Sequence, residues 1–348
     1  MYSEILKYLF IFSITFLIGC HQQKGESAFI LINIWYGNNQ FFGTPGLAQQ
    51  TINILGNIES ENGIDSTSYR LNKDSWISFS LGTDLHRLAA EGDFNIDIDA
   101  DRLQTGKNEL IILVKDSLGN YSRQIIDITF NNKKPCPIPY SIKWNKVENL
   151  QKTIQVTDGK WEITTEGIRN RDIYYDRMFA IGDSTWKNYE VVTSVIFHKL
   201  IPPSPGPPNY NVSHAGIASR WYGHGEDTLQ PNRQWWPVGV FAYLRITDKY
   251  DSCLWKMQDG QGLNAAQSMD ELRIIQKEVK YMMKHRVEDI SEAETKFSSK
   301  LWRSTQNEPK VWDLIAVKPT NQQSGSALLV AHFTEVTFGD IHVIPLSR

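Results

Sequence analysis

A period of two restricts this chain more than any other feature. Short runs in which apolar and polar side chains alternate, or a few β-branched residues stand together, recur at 29–35, 50–55, 75–80, 94–99, 109–114 and 124–130. Clusters of Gly, Asn and Asp separate them. Successive side chains on a strand point to opposite faces, so each run can bury one face and wet the other, and the clusters between them supply turns. No long stretch carries the 3.6-residue period of a core helix, and only 269–280 is ambiguous. The chain is therefore expected to be all-β, and about a hundred residues of strands at this spacing suit one sandwich.

The pattern breaks at 131–140, NNKKPCPIPY, where three prolines and two lysines interrupt it. Proline cannot donate within a central strand, so a Pro-containing linker is expected at 133–150, between a first domain at 29–132 and a second at 151–348. The second is again β-rich, with runs at 161–165, 189–197, 215–221, 240–246, 280–288, 295–303, 326–331, 335–338 and 341–344. Five prolines in 201–208 describe a stiff exposed loop.

Lys7 precedes an apolar run, 8–18, that is too short to span a bilayer but has the length of a signal-peptide core. The tetrapeptide Leu17-Ile18-Gly19-Cys20 that follows resembles the bacterial lipobox. The resemblance implies that 1–20 is a lipoprotein signal peptide and that Cys20 carries the lipid. Residues 21–28 would then be a polar tether, and the protein an extracytoplasmic, membrane-anchored lipoprotein of the bacterial cell envelope. A net charge of −3 and the lack of any basic run argue against nucleic acid as a partner. Cys136 and Cys253 stand far apart without a CxxC pattern, and whether they pair is left open.

Asn53-Ile-Leu-Gly-Asn57, Ser68-Tyr-Arg-Leu-Asn72, Leu81-Gly-Thr-Asp84 and Gly92-Asp-Phe-Asn95 resemble a bacterial immunoglobulin-like or cadherin-like module. Asp97, Asp99 and Asp101 are placed as the interdomain calcium ligands of cadherins would be. Alternation on one strand makes Asp97 and Asp99 a solvated face instead. From 156 to 346 the chain resembles the concanavalin A-like lectin/glucanase jelly roll, also called laminin-G-like. The echoes are Gly182-Asp-Ser-Thr-Trp-Lys-Asn-Tyr189, Ala215-Gly-Ile, Arg220-Trp-Tyr-Gly-His224, Lys300-Leu-Trp and Ser324-Gly-Ser326 before Val336-Thr-Phe-Gly339. That family spans lectins, glycosidases and adhesion modules. It commonly holds a structural calcium ion, for which Asp158 and Asp340 are candidate donors; no other cofactor is expected.

The stretch 214–246 concentrates the recognition chemistry. Arg220, Trp221, Tyr222 and His224 end one strand-like run, and Arg233, Trp235 and Trp236 open the next. Flat rings beside hydrogen-bonding groups suit the apolar face and hydroxyl rim of a sugar, so these seven residues are the expected ligand-binding patch for a polysaccharide or glycan. The first domain, with only Trp35 and Trp76, is expected to act as a spacer. Trp, Tyr and Arg also dominate protein hot spots, which keeps an adhesion or assembly module binding protein as the alternative.

A glycan hydrolase is the remaining alternative. It needs two carboxylates about 5–9.5 Å apart, and the E-x-D-x-x-E string of catalytic jelly rolls is absent. Glu288, Asp289, Glu292 and Glu294 sit at an expected hairpin tip, and Glu226 and Asp227 are adjacent, so they would face opposite ways on a strand. No catalytic residue is assigned. His198, His214 and His224 lack metal-ligand spacing, and no metal site is assigned either.

Overall fold

The alternating runs do become strands, and the turn clusters between them become connections. The structure, a computed structural model, describes residues 29–346 apart from 47–48, 85, 133–134, 201–211, 226–229, 233, 236, 247–252, 263–264 and 270–272. Among the described residues there is no α-helix, only two 3₁₀ turns at Ala100–Arg102 and Trp144–Lys146. The stretch 269–280 is not helical where it is described.

The first domain is a small sandwich. Ile30–Ile34, Thr51–Ser60 and Asp93–Asp99 form a three-stranded sheet. It faces a five-stranded sheet built on the long hairpin Gly106–Asp116 and Tyr121–Phe130. Ile52, Ile54, Ile96 and Ile98 from one sheet meet Leu110, Ile112, Ile126 and Ile128 from the other, as alternation requires.

The second domain is a larger jelly-roll sandwich of a seven-stranded and a nine-stranded sheet. The seven-stranded sheet runs Gln155–Asp158, Arg177–Ile181, Ser326–His332, His214–Trp221, Val240–Ile246, Cys253–Asp259 and Ala265–Ser268. Its inner residues, among them Phe179, Leu329, Ile217, Leu244 and Trp255, pack on Val191, Val195, Phe297 and Val336 of the nine-stranded sheet.

Two expectations about the junction change. Tyr140–Ile142, expected in the linker, pairs with Ile341–Pro345, and Trp144 is buried with Nε1 donating to the Gly339 carbonyl at 2.7 Å. The jelly roll therefore starts before 151. Nor is the first domain merely tethered, because the polar outer face of its three-stranded sheet is closed over by the second domain. The Arg87 guanidinium, itself buried, donates to Asp97 at 2.8 Å and to Asp158 at 2.7 Å. Asn95 Nδ2 reaches Asp158 at 2.9 Å, and Asn53 Nδ2 reaches Asp97 at 2.6 Å. Tyr36 Oη donates to the Gly159 carbonyl and accepts from the Trp161 amide. Asp97, expected on a solvated face, and Asp158, a candidate calcium donor, thus share one arginine. Burial raises the Asp158 pKa, but Arg87, His224 and Arg177 together outweigh it and hold the carboxyl below its ordinary value. Asp340 Oδ1 accepts from the Trp144 amide. Cys136 and Cys253 are both buried, and no disulfide joins them.

Candidate functional site

The expected patch is not a patch on the surface. The pairing of His214–Trp221 with Ser326–His332 shifts register between Ala218 and Trp221, and Arg220 sits there at φ 55°. This bulge adds one residue and breaks the alternation of the strand. Gly325, at φ 153°, lies so close that a Cβ on it would come within 2.4 Å of the Arg220 carbonyl carbon. Arg220 then turns into the end of the sandwich, fully buried, and donates to Asp289 Oδ1 at 2.6 Å, to the Gln322 carbonyl at 2.8 Å and to the Lys187 carbonyl.

Trp221 moves to the outer face of the seven-stranded sheet, joining Ala218, and is fully buried there under the chain that follows. Its Nε1 donates to the Trp235 carbonyl at 3.1 Å, and Trp235, 6% exposed, packs edge-on against Phe241. His224 lies in the domain seam, 3.5 Å from Asp158. Arg220, Trp221, His224 and Trp235 are therefore interior, because a loop and a neighbouring domain cover them. Tyr222, 44% exposed, keeps an open ring. Arg233, Trp236, Glu226, Asp227 and Cys20 lie outside the described residues. In the acidic cluster, Asp289 holds Arg220 and Glu288 pairs with Lys296.

The same outer face is open further along. Strand register aligns His332, His214, Arg245 and Leu254 in one row, and Val330, Gly216, Tyr243, Lys256 and Ser268 in the next. His214, Arg245, Leu254, Tyr243, Lys256 and Ser268 are all half-buried, whereas Phe241 beside them is buried. Tyr243 stacks on Phe241 with centroids 4.6 Å apart and 15° between planes. Gly216 permits this, since a Cβ there would come within 2.6 Å of Tyr243 Cβ and 2.1 Å of the Ala242 carbonyl.

Behind the rows, His332 Nδ1 meets Asp176 Oδ1 at 2.8 Å, and Asp176 Oδ2 accepts from Trp235 Nε1 at 2.9 Å. Burial raises the Asp176 pKa, but His332, with His214 and the Trp235 indole, overrides it and keeps the carboxyl below its ordinary value. Burial, followed by His332, pushes His214 well below its ordinary value. Burial raises Tyr243 and, with Arg245 alongside, lowers Lys256. The rows thus offer a flat aromatic face flanked by a guanidinium, an ammonium, an imidazole and a hydroxyl. Such a set can stack on an apolar ring face while donating to hydroxyls or to a carboxylate.

Part of this surface was within reach of the sequence. Alternation in Val240–Ile246 puts Phe241, Tyr243 and Arg245 on one side, and that in Cys253–Asp259 does the same for Leu254 and Lys256. Asp176 and His332 carry no local signal, because only strand order brings them beside His214. His198, grouped with His214 on sequence, instead contacts Glu278 at 2.9 Å and Thr337 Oγ1 at 2.7 Å. A separate polar cleft of about 210 Å³ lies near Arg220, between Gly260, Thr295, Phe297, Lys318 and Asn321.

No family model and no curated protein matches the sequence. Among solved structures, the chain is similar to the carbohydrate-binding module CBM66 from Bacillus subtilis, at 11% identity over 55% of this chain and 95% of that one, TM-score 0.36. It is similar to the VIP36 exoplasmic/lumenal domain in its Ca2+/Man2-bound form, at 9% identity over 60% and 88%, TM-score 0.36. A third similar structure is the alginate lyase Aly36B, a mutant in complex with an alginate trisaccharide, at 13% identity over 61% and 100%, TM-score 0.36.

Proposed function

We propose that this chain binds carbohydrate on the open rows of the seven-stranded sheet, acting from the lipid anchor read at Cys20. The observation that carries the reading is the half-buried Tyr243 ring, stacked on Phe241 with Lys256 opposite it and Arg245 two residues along its strand, on a part of the face that among the described residues is less covered than the Trp221 end. Tyr243 stacks against a sugar ring, and the two cations favour a glycan bearing carboxylates, such as a uronate. Binding is favoured over hydrolysis because these rows hold no carboxylate among their described residues, and both oxygens of Asp176 behind them are engaged.

A soluble form beginning near Glu26 is expected to retain acidic polysaccharides on a glycan array. In calorimetry on the folded protein, Tyr243→Ala should weaken the best ligand about five- to tenfold, in line with roughly 1 kcal/mol for a stacked ring, with a melting temperature lowered by the lost stack on Phe241 but the fold retained. Arg245→Ala should weaken an acidic glycan more than a neutral one. Affinity indifferent to both substitutions would overturn the assignment of this face. Capture of protein with no glycan retained would favour an adhesion module, and release of reducing sugar would make the protein an enzyme.

A further inference from the structure

At the closed edge of the open rows, Asp176, His214 and His332 bring three potential ligand atoms within 4.8 Å of one another. We propose that they form a binding site for a divalent metal ion of the zinc class, with one nitrogen from each imidazole and one oxygen from Asp176. The residues come from three neighbouring chain segments of one sheet, so the backbone pairing that builds the sheet also assembles the donors. Two imidazoles and a carboxylate, with room left for water or a ligand, are the donor set of open zinc sites.

The surroundings orient the donors as ligand side chains are oriented in metal sites. The Val212 carbonyl lies 3.2 Å from His214 Nδ1, which puts the proton on that nitrogen and leaves Nε2 with its lone pair. Trp235 Nε1 holds the second oxygen of Asp176. Tyr175 and Phe333 pack edge-on against the His332 ring, each with centroids 4.6 Å away, and fix its plane. His214 and His332 are stacked, 4.1 Å apart with 11° between planes, so the rings tilt toward each other when one ion takes a lone pair from each. A purely apolar packing role does not require a carboxylate at 2.8 Å from one ring of such a pair.

A bound M2+ takes the place of the proton between His332 and Asp176 while the imidazole keeps one proton on its other nitrogen, and the two atoms separate to about 3.3 Å, the ligand spacing around a tetrahedral ion with bonds of about 2.0–2.1 Å. Arg245, next to His214 in its row, opposes the ion and limits its affinity.

The test uses the whole soluble protein and the metals alone, Zn2+ by calorimetry and Co2+ by its visible absorption, after chelator treatment. One equivalent per chain is expected, with a Co2+ band that Zn2+ abolishes. His214→Gln and His332→Gln should each weaken binding tenfold or more, whereas His198→Gln should leave it unchanged. His214 is half-buried, so His214→Gln keeps the test decisive if His332→Gln fails to fold. Absence of a stoichiometric site, or binding that follows His198 rather than His214, would overturn the proposal. The titrations contain no glycan, so this site and the sugar-binding reading can fail separately.

Discussion

The two ends of the His214–Trp221 strand carry similar chemistry and have opposite environments. At one end Arg220 and Trp221 are shut in, the first by the sandwich end and the second by the chain up to Trp235. At the other, His214 stands half-buried beside Tyr243 and Arg245. Aromatic and basic residues occur at both, so composition does not separate a core from a binding surface. What separates them is coverage, and coverage comes from elements distant in sequence.

The largest effect expected from this difference lies at the closed end. Trp221→Ala deletes a fully buried ring and its hydrogen bond to Trp235, and should cost about 3–5 kcal/mol of stability. Glycan affinity of the fraction that stays folded should not change. Denaturant unfolding alongside calorimetry checks both halves of the statement. A stable Trp221→Ala protein with weakened binding would reverse the assignment of the two ends.

The same contrast explains what the sequence could reveal. Period-two alternation was enough to mark an all-β chain and most of its strands, since it reflects burial on one face of each strand. It failed at Arg220, where one extra residue in a bulge moved Trp221 to the other face. It also misread Asp97. Alternation of polar residues identifies a face without apolar packing, and in Asp93–Asp99 that face lies in a domain seam, where Arg87 takes the place of water. The Asp176, His214 and His332 trio was beyond local reading altogether, because the sheet order that joins its members is a property of the whole domain.

Acid sharpens the comparison by an intermediate amount. His285 hydrogen-bonds Ser219 near the closed end, and burial pushes its pKa from 6.5 down to about 3. His214 at the open end shifts in the same direction. As pH falls through 6.5 the unfolded chain protonates these imidazoles and the folded one does not. Stability therefore falls across the window from 6.5 toward 3, with each such histidine contributing up to about 1.4 kcal/mol per pH unit. Asp158 and Asp176, both shifted down, lose their contribution only at lower pH, so the interval from 7 to 5 isolates the histidines. Unfolding midpoints should drop over that interval, and less steeply in His214→Gln. Flat stability between pH 7 and 5 would mean that neither imidazole is held neutral by the fold.

The smallest expected effect is the most informative about where a ligand sits. Tyr222 is the one described residue of the expected seven-residue patch with an exposed ring, yet its hold on the first domain runs through its backbone carbonyl, which accepts from the Gln50 amide at 2.7 Å. Tyr222→Ala leaves that bond in place, so stability should change by less than about 0.5 kcal/mol, as for other surface substitutions. Tyr243 has a stacked partner in Phe241 and two cations as neighbours on the sheet, whereas Tyr222 borders the closed end, where Trp221, His224 and Trp235 are already covered. Glycan affinity should accordingly stay within about twofold in Tyr222→Ala, well short of the roughly 1 kcal/mol assigned to a stacked ring. If Tyr222→Ala weakens binding and Tyr243→Ala does not, the ligand lies along the seam, and the first domain supplies part of the surface instead of only closing one end of the sheet.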